Sequence, residues 1–333
     1  RVRVKAREKA VKAAEAKAEK ERKAAEAKAE KERKAAEAKA ANDAANAEKE
    51  RKAAVKAAVE KAAAEKAAAE KVALNMDAFW KKVRSSEAQA RTQSTLEWNS
   101  KGLTDLDCQC IAILIKSGAL SSLTELHLQS NQFGDAGMQA FATAIESVVL
   151  SSLTELRLQF NQIGDDGMNA FAEAIENGAL PSLNILWLRY NQFGDAGMQA
   201  FAKAIESGAL PSLKMLGLSI NQFGDAGMQA FAKAIESGAL PTLTELELDF
   251  NQFGDAGMQA FATALREGST PLPNLTRLNL FSNQFGNEGM NAFAEAIKSG
   301  ALPKLTNLYI SNPNPAIRNV CSSRKIGLVS SPK

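Results

Sequence analysis

One histidine, three cysteines and two tyrosines in 333 residues leave little for catalysis to work with. A histidine-based triad, a zinc site of histidine and cysteine, and a disulfide framework are all short of residues. No run of about eighteen apolar residues occurs, so no membrane span is expected. Proline and glycine are missing before Gly102, and no aromatic residue occurs before Phe79. The first position is Arg1 rather than Met, and no targeting peptide is read from it in either direction. The charge is also uneven. Residues 1–92 carry 26 Lys and Arg against 16 Asp and Glu, and residues 93–333 carry 15 against 22. Two unlike parts share one chain.

The larger part is an internal repeat. The string Asn-Gln-Phe-Gly-Asp-Ala-Gly-Met-Gln-Ala-Phe-Ala begins at Asn131 and recurs unchanged at Asn191, Asn221 and Asn251, with near-copies at Asn161 and Asn283. The spacing is 30 residues, apart from two extra residues near Ser269–Pro273. Each copy is preceded by a Leu-x-x-Leu-x-Leu-x-x-Asn run, as in Leu123, Leu126, Leu128 and Asn131. A weaker copy holds Leu96, Trp98 and Leu103, and a truncated one holds Leu305, Leu308 and Ile310. Seven units and a closing strand result.

Within a unit, Leu126 and Leu128 alternate with polar neighbours, which is a strand with one buried face. Gly134 and Gly137 end it and allow a tight entry into the next element. Met138, Phe141, Ala142 and Ile145 then fall at i, i+3, i+4 and i+7, the apolar stripe of a helix. Gly178, Gly208, Gly238 and Gly300 stop these helices, with prolines shortly after. One such unit cannot bury its own apolar face, whereas stacked copies bury it against each other.

These residues carry a resemblance. The pattern Leu-x-x-Leu-x-Leu-x-x-Asn-x-Phe-Gly-Asp-x-Gly-Met resembles the leucine-rich repeat of the ribonuclease-inhibitor type over residues 93–312. The same repeat class occurs in NOD-like receptors and in the activating protein of the GTPase Ran. The resemblance implies an α/β solenoid, a horseshoe with a parallel sheet inside and helices outside. It also implies that the repeated Asn hydrogen-bonds neighbouring backbone inside each turn, as a structural ladder. One departure is the uniform unit length, where the inhibitor family alternates two. The Gly-Asp-x-Gly run is read as a helix start, with Asp135 and its equivalents near the positive helix end. It is wrongly spaced for a phosphate or calcium loop.

Comparison among the copies singles out the strand face. Helix-surface positions such as Gln139, Gln199, Gln229 and Gln259 are identical, but outward strand positions differ almost completely. The expected protein-binding face combines Arg157, Phe160, Trp187, Arg189, Tyr190, Met215 and Ile220 with Glu245, Glu247, Asp249 and Phe250. Gly217 is expected to leave a gap beside Trp187. Aromatics and arginine ringed by charge are the composition of an interaction hot spot. Alternatively, Phe160, Tyr190, Ile220 and Phe250 turn inward and stack along the solenoid. His127 reads as an exposed strand-face residue, a contact rather than a general base. Cys108 aligns with the core Met138, and three unpaired thiols suit a reducing, cytoplasmic setting.

The N-terminal part is helical by composition. An eleven-residue Ala/Glu/Lys/Arg string beginning at Ala13 repeats at Ala24 and partly at Ala35. Eleven residues make about three turns, so one face recurs along a straight rod. Pairs Glu8–Lys12, Glu19–Lys23, Glu30–Lys34 and Glu48–Lys52 support it at i, i+4. A continuous helix over 1–84 would reach roughly 125 Å at about 1.5 Å per residue. Its stripe is Ala rather than Leu, which favours a solvated helix over a strong coiled coil. It resembles the spacer helices of bacterial envelope proteins. Interleaved charge and missing aromatics argue against a nucleic-acid arm.

Four segments are therefore expected. Residues 1–71 form a long helix that serves as spacer or weak coiled coil. Residues 72–92 form an amphipathic capping helix carrying Val72, Met76, Phe79, Trp80 and Val83. Residues 93–312 are the repeats, and 313–333 a C-terminal tail, loose and basic over 318–333. The expected function is non-enzymatic and needs no cofactor or metal: a protein partner binds the concave strand face, and the arm spaces, tethers or self-associates. Regulation of a small GTPase and a structural role in an assembly are the alternatives.

Overall fold

A computed structural model describes residues 75–330 except 269 and 270, together with residues 46–62 and scattered positions between 19 and 66. The chain divides into two units, Arg1–Glu70 and Lys71–Lys333. In the first unit every described residue is helical and exposed, including Val55 and Val59. Ion pairs join Glu19 to Lys23, Glu30 to Lys34 and Glu48 to Lys52 at 2.7–2.8 Å, one helical turn apart. Glu8–Lys12 and Val72 lie outside the described residues. No helix of the described residues is long and apolar enough to cross a membrane.

The second unit opens with helix α1 (residues 75–83) and the one-turn helix α2 (Glu87–Ala90). Arg84, at φ 53°, turns the chain between them, so the amphipathic segment is two helices rather than one. Phe79 is completely buried and meets Trp98 edge-on at 5.2 Å, with Trp80 packed against both rings. This aromatic cluster closes the apolar end of the first repeat.

Nine three-residue strands then form one parallel sheet in strict chain order. They are β1 (Thr95–Glu97), β2 (Glu125–His127), β3 (Glu155–Arg157), β4 (Ile185–Trp187), β5 (Met215–Gly217), β6 (Glu245–Glu247), β7 (Arg277–Asn279), β8 (Asn307–Tyr309) and β9 (Gly327–Val329). Helices α3 (Asp105–Lys116), α4 (Asp135–Ser147), α5 (Asp165–Glu176), α6 (Asp195–Glu206), α7 (Asp225–Glu236), α8 (Asp255–Glu267), α9 (Asn287–Lys298) and α10 (Pro315–Arg324) alternate with them. Equivalent residues pair directly across the sheet, Leu126 with Leu156 and Leu156 with Leu186. The core is therefore a set of columns rather than one globule. Leu126, Leu156, Leu186, Leu216 and Leu246 are all completely buried. Phe193, Phe223, Phe253 and Phe285 stack at 5.7–6.4 Å between centroids, and Phe231, Phe261 and Phe293 form a second pile.

Two polar ladders hold the turns. Asn191 Nδ2 donates to the carbonyls of Leu158 and Leu188 at 3.1 and 3.0 Å, and its Oδ1 accepts from Ile163 N–H. Asn131, Asn161, Asn221, Asn251 and Asn283 donate in the same way, bridging each unit to the one before it. The second ladder differs from the simple helix-start reading of Gly-Asp-x-Gly. Asp135 Oδ1 accepts from the Gly164 and Gly167 N–H groups of the following unit at 2.7 and 2.9 Å. Each Asp thus caps its neighbour's helix. Gly167 is required by closeness rather than by φ, since a Cβ there would sit 2.6 Å from Asp135 Oδ1. The helix-stopping glycines, such as Gly178 at φ 83°, use the left-handed region, as does Gly102 in the turn before α3.

Residues 315–330 are not a loose tail. Asn314 caps α10 by accepting from Ile317 N–H at 3.0 Å, and Pro315 occupies the first turn. Arg324 donates to the carbonyls of Ile297, Ala301 and Leu302, satisfying the exposed end of the last repeat. The basic side chains that suggested looseness are partly used as caps. Strand β9 then pairs with β8 and extends the sheet.

Candidate protein-binding face

In every strand the central Leu points to the helices, which leaves its two neighbours on the open face of the sheet. Strand registry lines up Glu155, Ile185, Met215 and Glu245 in one column. Arg157, Trp187, Gly217 and Glu247 make the next, and Gln159, Arg189, Ser219 and Asp249 follow two residues on. All eleven residues expected on the binding face reach the surface: Phe160, Tyr190 and Phe250 are exposed and the other eight half-buried.

The gap expected beside Trp187 is filled by Trp187 itself. A Cβ on Gly217 would lie 2.2 Å from the indole, so the ring lies flat over a glycine that alone admits it. Arg189 stacks on that ring, its guanidinium carbon 5.0 Å from the centroid, and reaches Glu247 at 3.2 Å. The centre is thus a preassembled Trp–Arg–Glu group. Arg189 Nε makes no hydrogen bond within the protein.

The column after the strands resolves in favour of exposure. Phe160, Tyr190, Ile220 and Phe250 have φ of 54–59°, the left-handed region. That conformation turns their side chains out, away from the stack. It is uncommon for any non-glycine residue, and for the β-branched Ile220 it is a genuine outlier. The rings of Phe160 and Tyr190 stack at 4.0 Å and 18° on the surface. Phe250 is equally exposed at 45%.

The flanks are charged. Arg157 pairs with Glu155, and Arg277 with Glu245 at 3.2 Å while also lying over Tyr309. Burial raises the Glu247 carboxyl above its ordinary range against the opposing pull of Arg189, with Asp249 and Glu245 adding to the rise. Burial also raises Asp249, although the Ser219 hydroxyl bonded to it pulls the other way. Both carboxylates are therefore short of cationic partners for their degree of desolvation.

Sequence reasoning missed several residues of this face. Ile185 and Arg277 are reached only through the register, and His127 is buried at 8% rather than exposed. An open groove of 1150 Å³ lies on the helical side among Asp135, Glu173, Gln199 and Lys203. Its lining repeats from unit to unit and supplies little to tell partners apart. Burial is the first cause of the raised pKa at Cys108, Cys110 and Cys321, which disfavours thiolate at all three.

The family model described as leucine rich repeat matches residues 119–142, 149–172, 179–202, 209–232, 239–262 and 272–294. The chain is a leucine-rich repeat protein. No curated protein matches its sequence. Solved structures similar to the chain are so at low identity. Leiomodin-1 actin-binding site 2 is 19% identical, covering 48% of this chain and 86% of that one, with a TM-score of 0.36. The leucine-rich ectodomain of the Arabidopsis receptor kinase HAESA, solved with a peptide hormone ligand, is 18% identical over 65% of this chain and 42% of its own, at 0.34. An internalin from Listeria monocytogenes is 13% identical over 77% and 88%, at 0.28. The leucine-rich chain described here therefore spans less than half of the receptor ectodomain.

Proposed function

We propose that the chain is a non-enzymatic interaction module that binds a protein partner on the concave strand face. The repeats are taken as the ribonuclease-inhibitor type. One observation carries the reading: side chains differ from unit to unit on the strand face, where Trp187, Arg189 and Tyr190 cluster, and are nearly identical on the helix face. Drift without a binding role would touch both surfaces alike. Trp187 and the Phe160–Tyr190 pair supply large rigid contact area, and Arg189 has a donor left to give. Glu245, Glu247 and Asp249 favour a partner presenting an apolar anchor beside basic side chains. The Ala-faced arm acts as spacer or tether, and the few, buried cysteines suit a reducing, cytoplasmic setting.

A comparative pull-down from native extract tests this. The intact chain and a Gln199→Ala/Gln229→Ala helix-face variant are expected to capture the same protein. A Trp187→Ala/Tyr190→Ala variant is expected to lose it at least tenfold. Equal capture by all three would remove the strand face from the account.

A further inference from the structure

The only histidine in the chain sits in an arrangement that the binding-face reading does not use. Glu125 and His127 are two residues apart on β2, so both side chains leave the same side of the strand. Glu155 pairs directly with Glu125 from β3. One donor atom from each of the three lies within 4.8 Å of the other two. His127 is 8% exposed, and its Nε2 is buried with no hydrogen-bond partner in the protein. That nitrogen faces Glu125 Oε2 at 3.6 Å and Glu155 Oε1 at 3.7 Å.

Those separations are too long for hydrogen bonds, which fall at about 2.7–3.2 Å. They are close to the spacing of two ligands on one tetrahedral ion, about 3.3–3.5 Å for bonds of about 2.0–2.2 Å. We infer that Glu125 Oε2, His127 Nε2 and Glu155 Oε1 form a binding site for a divalent transition-metal ion of the zinc type. Counting only cysteine and histidine led the sequence reading to expect no metal; here carboxylates supply the other two donors.

The second ring of contacts fits the assignment. Arg157 Nε donates to Glu155 Oε1, and a carboxylate oxygen with two lone pairs accepts that bond while facing an ion. Two carboxylates outweigh the single guanidinium beside them. Glu97 is the register neighbour of His127 on the other side and is exposed, adding negative charge without competing for the imidazole. Three protein donors leave a fourth position open, which is the pattern of an exchangeable rather than a closed structural site. No other unit repeats the set, since Ile185 and Trp187 replace it one strand further on.

Cobalt(II), a spectroscopic stand-in for zinc, tests the site on the intact chain. The expected result is one Co²⁺ per chain, with visible d–d absorption, no thiolate-to-metal charge-transfer band, and displacement by Zn²⁺. His127→Gln and Glu125→Gln should each weaken binding at least tenfold. Zinc should raise the unfolding temperature of the parent and not of Glu125→Gln. Glu125 has a 40% exposed side chain, so this variant decides the matter even if His127→Gln perturbs folding. Absence of binding, a thiolate band, or unchanged affinity in Glu125→Gln would overturn the assignment. The test involves no protein partner and stands apart from the proposed function.

Discussion

Asp195 belongs to the first turn of α6, yet its Oδ1 serves the next unit, accepting from Gly224 and Gly227 N–H at 2.7 and 2.8 Å. The bond draws the helix start of one repeat against that of its neighbour, so no side chain fits at the second glycine. A Cβ on Gly227 would lie 2.9 Å from Asp195 Oδ1 and 3.0 Å from both Met198 and Phe223 Cβ. Gly227→Ala is therefore expected to cost about 1–3 kcal/mol by overcrowding, against less than about 0.5 kcal/mol for the exposed Gln229→Ala. Urea denaturation of the two variants checks the contrast. The Asn ladder was legible through the resemblance to the leucine-rich repeat, which implied it. The Asp ladder was not, because a local reading of Gly-Asp-x-Gly places the carboxylate on its own helix. Only the register of successive units shows that it acts across them. Ile220 is a similar case: nothing in its type suggests a left-handed backbone, which the turn imposes on that position in eight copies from Ser100 to Asn312.

Elements at the two ends carry what the repeats cannot supply for themselves. Helix α1 is fixed to α3 by polar bonds, while Phe79 packs on Trp98 beyond β1. Lys82 Nζ meets Asp107 Oδ2 at 2.6 Å, Asn75 donates to Oδ1 at 3.2 Å, and Thr104 N–H donates to Oδ2 at 2.8 Å. Burial alone would raise the Asp107 carboxyl; the Lys82, Thr104 and Asn75 bonds outweigh it and hold the group below its ordinary value. A carboxyl depressed in the folded state contributes stability above its unfolded pKa, and the contribution fades as pH falls through the folded one. Between about pH 6 and about pH 3 the parent should lose more stability than Asp107→Asn, as read from urea midpoints. A parallel loss in both would show that Asp107 is not the responsible group. The end helices were only half readable. The stripe of Met76, Phe79, Trp80 and Val83 marked a helix, but the break at Arg84 had no glycine or proline to signal it. At the other end, Asn314-Pro315 is a helix-start signal that lay within the segment expected to be a tail.

Across the whole repeat unit, packing removes every central Leu, Phe and Met column from water and leaves one sheet surface with changing side chains. Regularity made the fold legible, since near-identical copies reveal their period and their buried positions at once. The face was legible in outline for the same reason: variation against a constant background marked its residues. Its chemistry was not. The sealing of Gly217 by Trp187, the Arg189–Glu247 pair and the Glu125–His127–Glu155 group all depend on side chains from different strands meeting in register. The most direct test of the face uses two positions one helix apart in a single repeat. A photo-cross-linking side chain is placed at Met215 on the strand surface or at Gln229 on the helix surface, and each protein is illuminated in native extract. A covalent adduct from position 215 and none from 229 is the expected result; an adduct from 229 and none from 215 would contradict it.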